Sequence, residues 1–140
     1  MLHSSSEDIF NQLQGLHRQI SSVFERCAGI SASRLQLLHQ LYQVEEISQT
    51  SLQKTLGIDS AAVTRHLKQL EISGMVTRRM SPEDNRFTLV QLTEEGRQKI
   101  LAYTKEKEQF LGDMLQNFEE KEQEQLLDML RRLNQNMSEM

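Results

Sequence analysis

The chain has no tryptophan, one proline, one cysteine and six glycines, and aromatic residues make up only 5% of it. A single cysteine, Cys27, cannot close an internal disulfide, so a disulfide-stapled scaffold is excluded and a reducing compartment is favoured. Pro82 is the only helix breaker of its kind, which leaves long stretches free to run as uninterrupted helix. No run of 18 or more apolar residues exists, so no membrane-spanning helix is expected. Met1 to Asp8 is polar and acidic, where a secretory leader carries cations and an apolar stretch. Together these features point to the cytoplasm. Glycine-rich phosphate loops, a nucleophile elbow and a His-x-x-x-His pair are all missing. The four histidines, His3, His17, His39 and His66, are scattered. No enzyme, metal site or cofactor is expected.

What is present is charge and helical periodicity. The 140 residues suit one domain, and the net charge is −4. The charge is unevenly spread. Residues 54–86 hold six Lys/Arg against four Asp/Glu, while residues 105–140 hold five against nine. The positive balance therefore sits in the middle of the chain, where local cations count for more than the global sum if the partner is a polyanion.

The same middle segment is punctuated at nearly every junction. Ser48 is placed to cap a short helix through Leu52 and Leu56, and Gly57 to end it. Asp59 is placed to cap a second helix, with Ile58 and Val63 at the spacing of a hydrophobic staple. That helix runs to about Ile72, and Gly74 follows it. A turn of a few residues between two helices fits the helix-turn-helix motif.

On the second helix, Val63, Leu67 and Leu70 form an inward stripe. Ser60 and Ala61 begin the outer face, Arg65 and Lys68 continue it, and Ala62 and Thr64 flank it. Small residues near the N-terminus permit close approach to a major groove, arginine pairs with guanine, and alanine or threonine methyls meet thymine. Taken alone, the same face reads equally well as a solvated helix surface with two cations. The next segment shifts the balance. Met75–Met80 and Phe87–Leu92 are rich in β-formers, and the intervening Ser81 to Arg86 is turn-forming. Arg78, Arg79 and Arg86 make this hairpin basic. Asp84 lies two residues from Arg86, close enough to orient its guanidinium for a groove or phosphate contact.

Val63-Thr64-Arg65, Leu70-Glu71, Gly74-Met75-Val76, Arg79, Pro82-Glu83-Asp84-Asn85-Arg86 and Leu92-Thr93-Glu94-Glu95-Gly96 follow one another in an order that resembles the MarR family of bacterial transcription regulators. Asn85 stands where many members carry arginine, and Ser81 where aspartate is common. The resemblance implies a mainly α fold: a winged helix-turn-helix over residues 31–92, with helical dimerisation regions at 1–30 and 93–140, within a single domain of 1–140. It implies a homodimeric, sequence-specific repressor on a near-palindromic DNA operator, with Ser60, Ala61, Ala62, Thr64, Arg65, Lys68, Arg78 and Arg86 at the DNA and Asp84 supporting the wing. A protein-interaction module that does not bind DNA is the alternative.

Two further stripes fit dimerisation. Ile9, Leu13, Leu16, Ile20, Val23 and Cys27 recur at three- and four-residue spacing in a helix from about Glu7 to Cys27. Leu126, Leu127, Leu130, Leu133 and Met137 do so in a helix starting near Glu119. Between them a long helix is expected from about Thr93 to Asn117. Family members bind small aromatic ligands between the DNA-binding lobe and the dimer helices, which makes His17, His39 and Tyr42 candidate cleft residues for a small organic effector. Zinc-sensing members draw histidines from the fifth helix, and this chain has no histidine after His66. Cys27 reads as a partly buried structural thiol, with oxidant sensing as the alternative.

Overall fold

The computed structural model describes residues 4–140. His3 and the first residues of the polar N-terminal stretch lie outside the described residues. The fold is mainly α with a small antiparallel sheet. The element order is α1 (Ser5–Ala28), α2 (Ala32–Tyr42), β1 (Ile47–Ser48), α3 (Gln49–Leu56), α4 (Ser60–Ile72), β2 (Val76–Met80), β3 (Thr88–Leu92), α5 (Glu94–Met114) and α6 (Glu120–Ser138). The chain divides into two compact units, residues 1–107 and 108–140.

Local chemistry sets the boundaries in the first unit. Ser4 and Ser31 each accept a backbone N–H at the start of their helices, from Glu7 and Arg34. Ser48 and Asp59 do the same for α3 and α4, accepting from Ser51 and Ala62. An N-terminal cap of this kind is worth about 1 kcal/mol. Gly57 ends α3 in the left-handed conformation at φ 65°, which is strained for an L side chain and free of strain for glycine. The expected helix-turn-helix is therefore α3–turn–α4.

The sheet has the order β1-β3-β2. Val76 pairs with Leu92, Arg78 with Val90 and Met80 with Thr88, which gives the wing hairpin its register. The two-residue strand β1 adds a third, antiparallel edge, with Ile47 opposite Val90. Sequence patterning did not indicate β1, because two residues are too few to show alternation.

The core of this unit is aliphatic. Leu35, Leu38 and Leu41 from α2, Leu52 from α3, and Val63, Leu67 and Leu70 from α4 are each at most 1% exposed, as are Val76 and Val90 from the sheet. The inward stripe expected on α4 is thus the face that closes the lobe. No charged or polar residue is buried among the described residues.

One junction ties several elements together. The Thr93 hydroxyl donates to the Gly74 carbonyl at 2.7 Å and accepts the Gly96 amide at 3.0 Å. The Thr93 amide donates to the Met75 carbonyl at 3.0 Å. Gly96 lies so close to this corner that an added Cβ would overlap the Met75 carbonyl oxygen. The second unit, residues 108–140, contains the end of α5, a turn in which Asn117 has φ 70°, and α6. Glu119 and Glu122 form a capping box at the start of α6. No residue of α6 is buried. Among the described residues, no helix is long and apolar enough to cross a membrane.

Gly96→Ala is expected to destabilise the fold by about 1–3 kcal/mol, because the clash is with backbone, which cannot swing aside. A Cβ added at Gly112 would meet nothing within 4 Å. Gly112→Ala should accordingly be neutral or stabilising by about 0.5–1 kcal/mol. Urea unfolding of the two variants measures the contrast, and equal midpoints would refute the close-approach role of Gly96.

Candidate nucleic-acid interface

The exposed side of α4 carries the small-then-cationic arrangement expected from the sequence. Ser60, Ala61, Thr64, Arg65 and Lys68 are exposed and Ala62 is half-buried. Among the described residues, neither Arg65 nor Lys68 takes part in an ion pair, so both cations are available to a ligand. Thr64 is more constrained. Its hydroxyl donates to the Ser60 carbonyl at 2.9 Å and accepts from the Gln49 carboxamide nitrogen at 3.0 Å. Gln49, the first residue of α3, thereby touches the outer side of α4. Sequence reasoning missed it because 15 residues separate the pair and no local pattern marks the contact.

The wing is less basic than its three arginines suggest. Arg78 pairs with Glu71 at 3.0 Å, its side chain only 23% exposed. It shares a sheet face with Val76 and Val90, the side turned to the core, as the hairpin register requires. Arg78 was expected at the DNA. In the structure its guanidinium joins β2 to Glu71 at the end of α4. Arg79 meets Glu46 through two hydrogen bonds, of 3.0 and 2.9 Å, clamping β2 to the segment before β1. This fork–fork pairing holds the Glu46 carboxyl below its ordinary pKa.

Arg86 is the arginine that projects, with its side chain 86% exposed. Its backbone amide and its Nε both donate to Asp84 Oδ1, at 3.0 and 3.1 Å, and its Nη2 donates to Asp84 Oδ2 at 2.8 Å. These bonds hold the Asp84 carboxyl below the usual carboxylate range and raise the pKa of the Arg86 guanidinium. Asp84 thus orients Arg86 in the way the two-residue spacing suggested. Ser81 caps the loop from the other side, accepting the amides of Glu83 and Asp84.

The candidate effector residues have different neighbours. His39 lies beside α5, its Nε2 3.5 Å from the Thr104 hydroxyl, and Tyr42 receives the Arg97 guanidinium over its ring at 5.5 Å. His17 instead lines an open groove along α1 with Arg18, Ser21, Ser22, Glu25 and Arg26. Cys27 is exposed, whereas a partly buried thiol was expected. No group of three or more His, Cys, Asp or Glu side chains among the described residues could hold a metal ion.

A short sheet bearing a wing, packed on a three-helix core with an exposed second helix, defines a winged helix-turn-helix protein. Comparison with known proteins agrees. The MarR family model matches residues 30–88. The chain is 54% identical over 135 residues to the HTH-type transcriptional regulator YdgJ of Bacillus subtilis (strain 168), covering 96% of this chain and 82% of that protein. The chain belongs to the MarR family. It superposes on a cysteine-to-serine variant of MarR from E. coli in complex with operator DNA with TM-score 0.77 at 22% identity, over 94% of this chain and 99% of that one. BpsR of Bordetella bronchiseptica, whose DNA binding is regulated by 6-hydroxynicotinic acid, superposes with TM-score 0.79 at 20% identity, over 96% and 98%. The chain is accordingly a transcription regulator.

Two histidines give the lobe a pH dependence. Burial lowers the pKa of His39 below 6.5, with Lys107 adding repulsion. Burial also lowers that of His66, where Arg34 and Arg65 add theirs. The unfolded chain therefore takes up these protons first as pH falls. Stability is unaffected well above pH 6.5 and declines as pH drops through that value toward the lower folded values. The thermal midpoint should be lower at about pH 5.5 than at about pH 7.5, and a His39→Gln/His66→Gln variant should show a smaller difference. A wild-type midpoint that does not fall on acidification would contradict this assignment.

Proposed function

We propose that the protein is a homodimeric repressor that binds a near-palindromic operator, reading bases with the exposed face of α4 and anchoring through Arg86 of the wing. The observation that carries this reading is the pairing pattern of its cations. Among the described residues, Arg65 and Lys68 on α4 are without ion-pair partners, whereas Arg78 and Arg79 are tied to Glu71 and Glu46. A surface that leaves its helix cations free and braces its hairpin with the rest is suited to placing one helix against phosphates and base edges. Ser60, Ala61 and Ala62 allow the approach, Thr64 offers a methyl group, Arg65 suits guanine, and Lys68 suits a phosphate. Arg86, held by Asp84, is directed at the minor groove or its flanking phosphates.

Dimerisation is supported by apolar side chains that the single chain leaves uncovered. Ile9, Leu13 and Leu16 of α1 are 52%, 37% and 49% exposed, and Leu126 and Leu133 of α6 are 37% and 40% exposed. Ile20 and Leu130 are half-buried. Uncovered stripes of this kind at both ends of the chain mark association surfaces. Two-fold pairing would present two α4 helices to half-sites roughly 34 Å apart, one turn of the duplex. For the effector, the seam between α2 and α5 is the better candidate. There His39 and Tyr42 stand with Thr104 and Arg97, a cation beside an aromatic ring, which suits a small aromatic acid. BpsR's response to 6-hydroxynicotinic acid makes a hydroxylated aromatic acid the class to try first.

Operator fragments selected from genomic DNA provide the test. Affinity should fall steeply with salt. Arg65→Ala should lose about 1–3 kcal/mol and relax preference at one position per half-site, while Arg86→Ala should weaken all sequences and reduce the salt slope by about 1 for each phosphate it no longer meets. Retention of full affinity and selectivity by both variants would favour the protein-interaction module instead. In sedimentation at micromolar concentration the wild type should be a dimer, with Leu130→Asp/Leu133→Asp monomeric or unfolded, since charge would face a dry interface. A monomeric wild type refutes the dimer. Aromatic acids should release the operator complex, and Arg97→Ala should blunt the response. Release by zinc or hydroperoxide alone would replace this effector class.

A further inference from the structure

We propose that Gln49, which belongs to α3 and not to the recognition helix, sets base preference by fixing the rotamer of Thr64, so that the Thr64 methyl group is offered to a thymine. This inference rests on the DNA-binding reading given above. Its basis is a proton inventory. The Thr64 hydroxyl lies 2.9 Å from the Ser60 carbonyl, which can only accept, so the single hydroxyl hydrogen is committed there. The contact with Gln49 at 3.0 Å must then be one in which Thr64 accepts, and this fixes the carboxamide with its nitrogen toward Thr64. A helical threonine otherwise divides between two χ1 rotamers, because either allows its hydroxyl to bond a carbonyl one turn back. Rotation to the second would carry Oγ1 away from Gln49 and move the methyl group to another staggered position.

The consequence bears on readout. With its hydrogen committed, Thr64 has no donor left for a base edge. What remains on this exposed residue is chiefly the methyl group, alongside Ala61 and Arg65 on the same side of α4. In the major groove, thymine is the base that presents a methyl of its own. The backbone of Gln49 is fixed as the first residue of α3, directly after the cap Ser48. It therefore acts as a positioning residue, and each half-site should contain one thymine read through its methyl.

Replacing each thymine of a selected operator by deoxyuridine removes only that methyl. Wild type should lose about 4-fold in affinity at one thymine per half-site, the weight of one buried carbon group. Gln49→Ala should lose this discrimination while keeping its salt slope and its preferences elsewhere. Thr64→Ser, which keeps both hydrogen bonds but has no methyl, should also be indifferent to deoxyuridine. Thr64→Val, which keeps a methyl without the hydroxyl, should make a further Gln49→Ala change silent. Unaltered deoxyuridine discrimination in Gln49→Ala or in Thr64→Ser overturns the proposal. A uniform loss of affinity in Gln49→Ala with deoxyuridine discrimination retained overturns it in favour of a phosphate contact. A wild-type protein that binds all sequences alike removes the DNA-reading function itself, and that result is distinct from the variant failures.

Discussion

The structure turns on the clasp at Thr93. Within a few ångströms, the end of α4, the first residues of the wing, the last residue of β3 and the start of α5 meet, and the Thr93 hydroxyl serves as both donor and acceptor among them. Gly96 makes the meeting possible, since any side chain there would strike the Met75 carbonyl. The Leu92-Thr93-Glu94-Glu95-Gly96 run is therefore a joint. It holds the end of α4 against the hairpin and begins α5 beside them. The start of α5 is thus fixed directly to the elements proposed to face DNA.

The two groups of apolar residues in this chain play different parts. Those of α2, α3, α4 and the sheet are buried within the single chain. None of those on α6 is buried, and α1 buries only Phe24 and Ala28. A lobe with its own core and terminal helices without one is the arrangement expected when association, and not intrachain packing, completes the fold.

How much of this was legible in the sequence depended on separation along the chain. The caps Ser48 and Asp59, the left-handed Gly57 and the Asp84–Arg86 pair involve near neighbours, and residue type alone implies their geometry. The inward stripe of α4 was equally plain, because periodicity survives folding. Contacts across elements were not legible. Glu46 meets Arg79 over 33 residues and Gln49 meets Thr64 over 15. Composition made the hairpin basic, while pairing with Glu71 and Glu46 from other elements, and with Asp84 in its own loop, offsets each of its arginines. The effector residues were grouped by a family expectation; His17 lines a groove along α1, while His39 and Tyr42 contact Thr104 and Arg97 of α5.

The Asp84–Arg86 pair also shapes the time course of an encounter with DNA. Opposite charges 2.8 Å apart form a dipole, whose field fades far faster with distance than that of a lone cation. Beyond the screening length of about 8 Å in physiological salt, the wing tip exerts almost no pull on a duplex. On the DNA-binding mode proposed above, the cations of α4 would be left to steer the approach. The wing would then engage only after α4 has arrived, so its contribution would fall on how long the complex lasts and hardly at all on how often it forms.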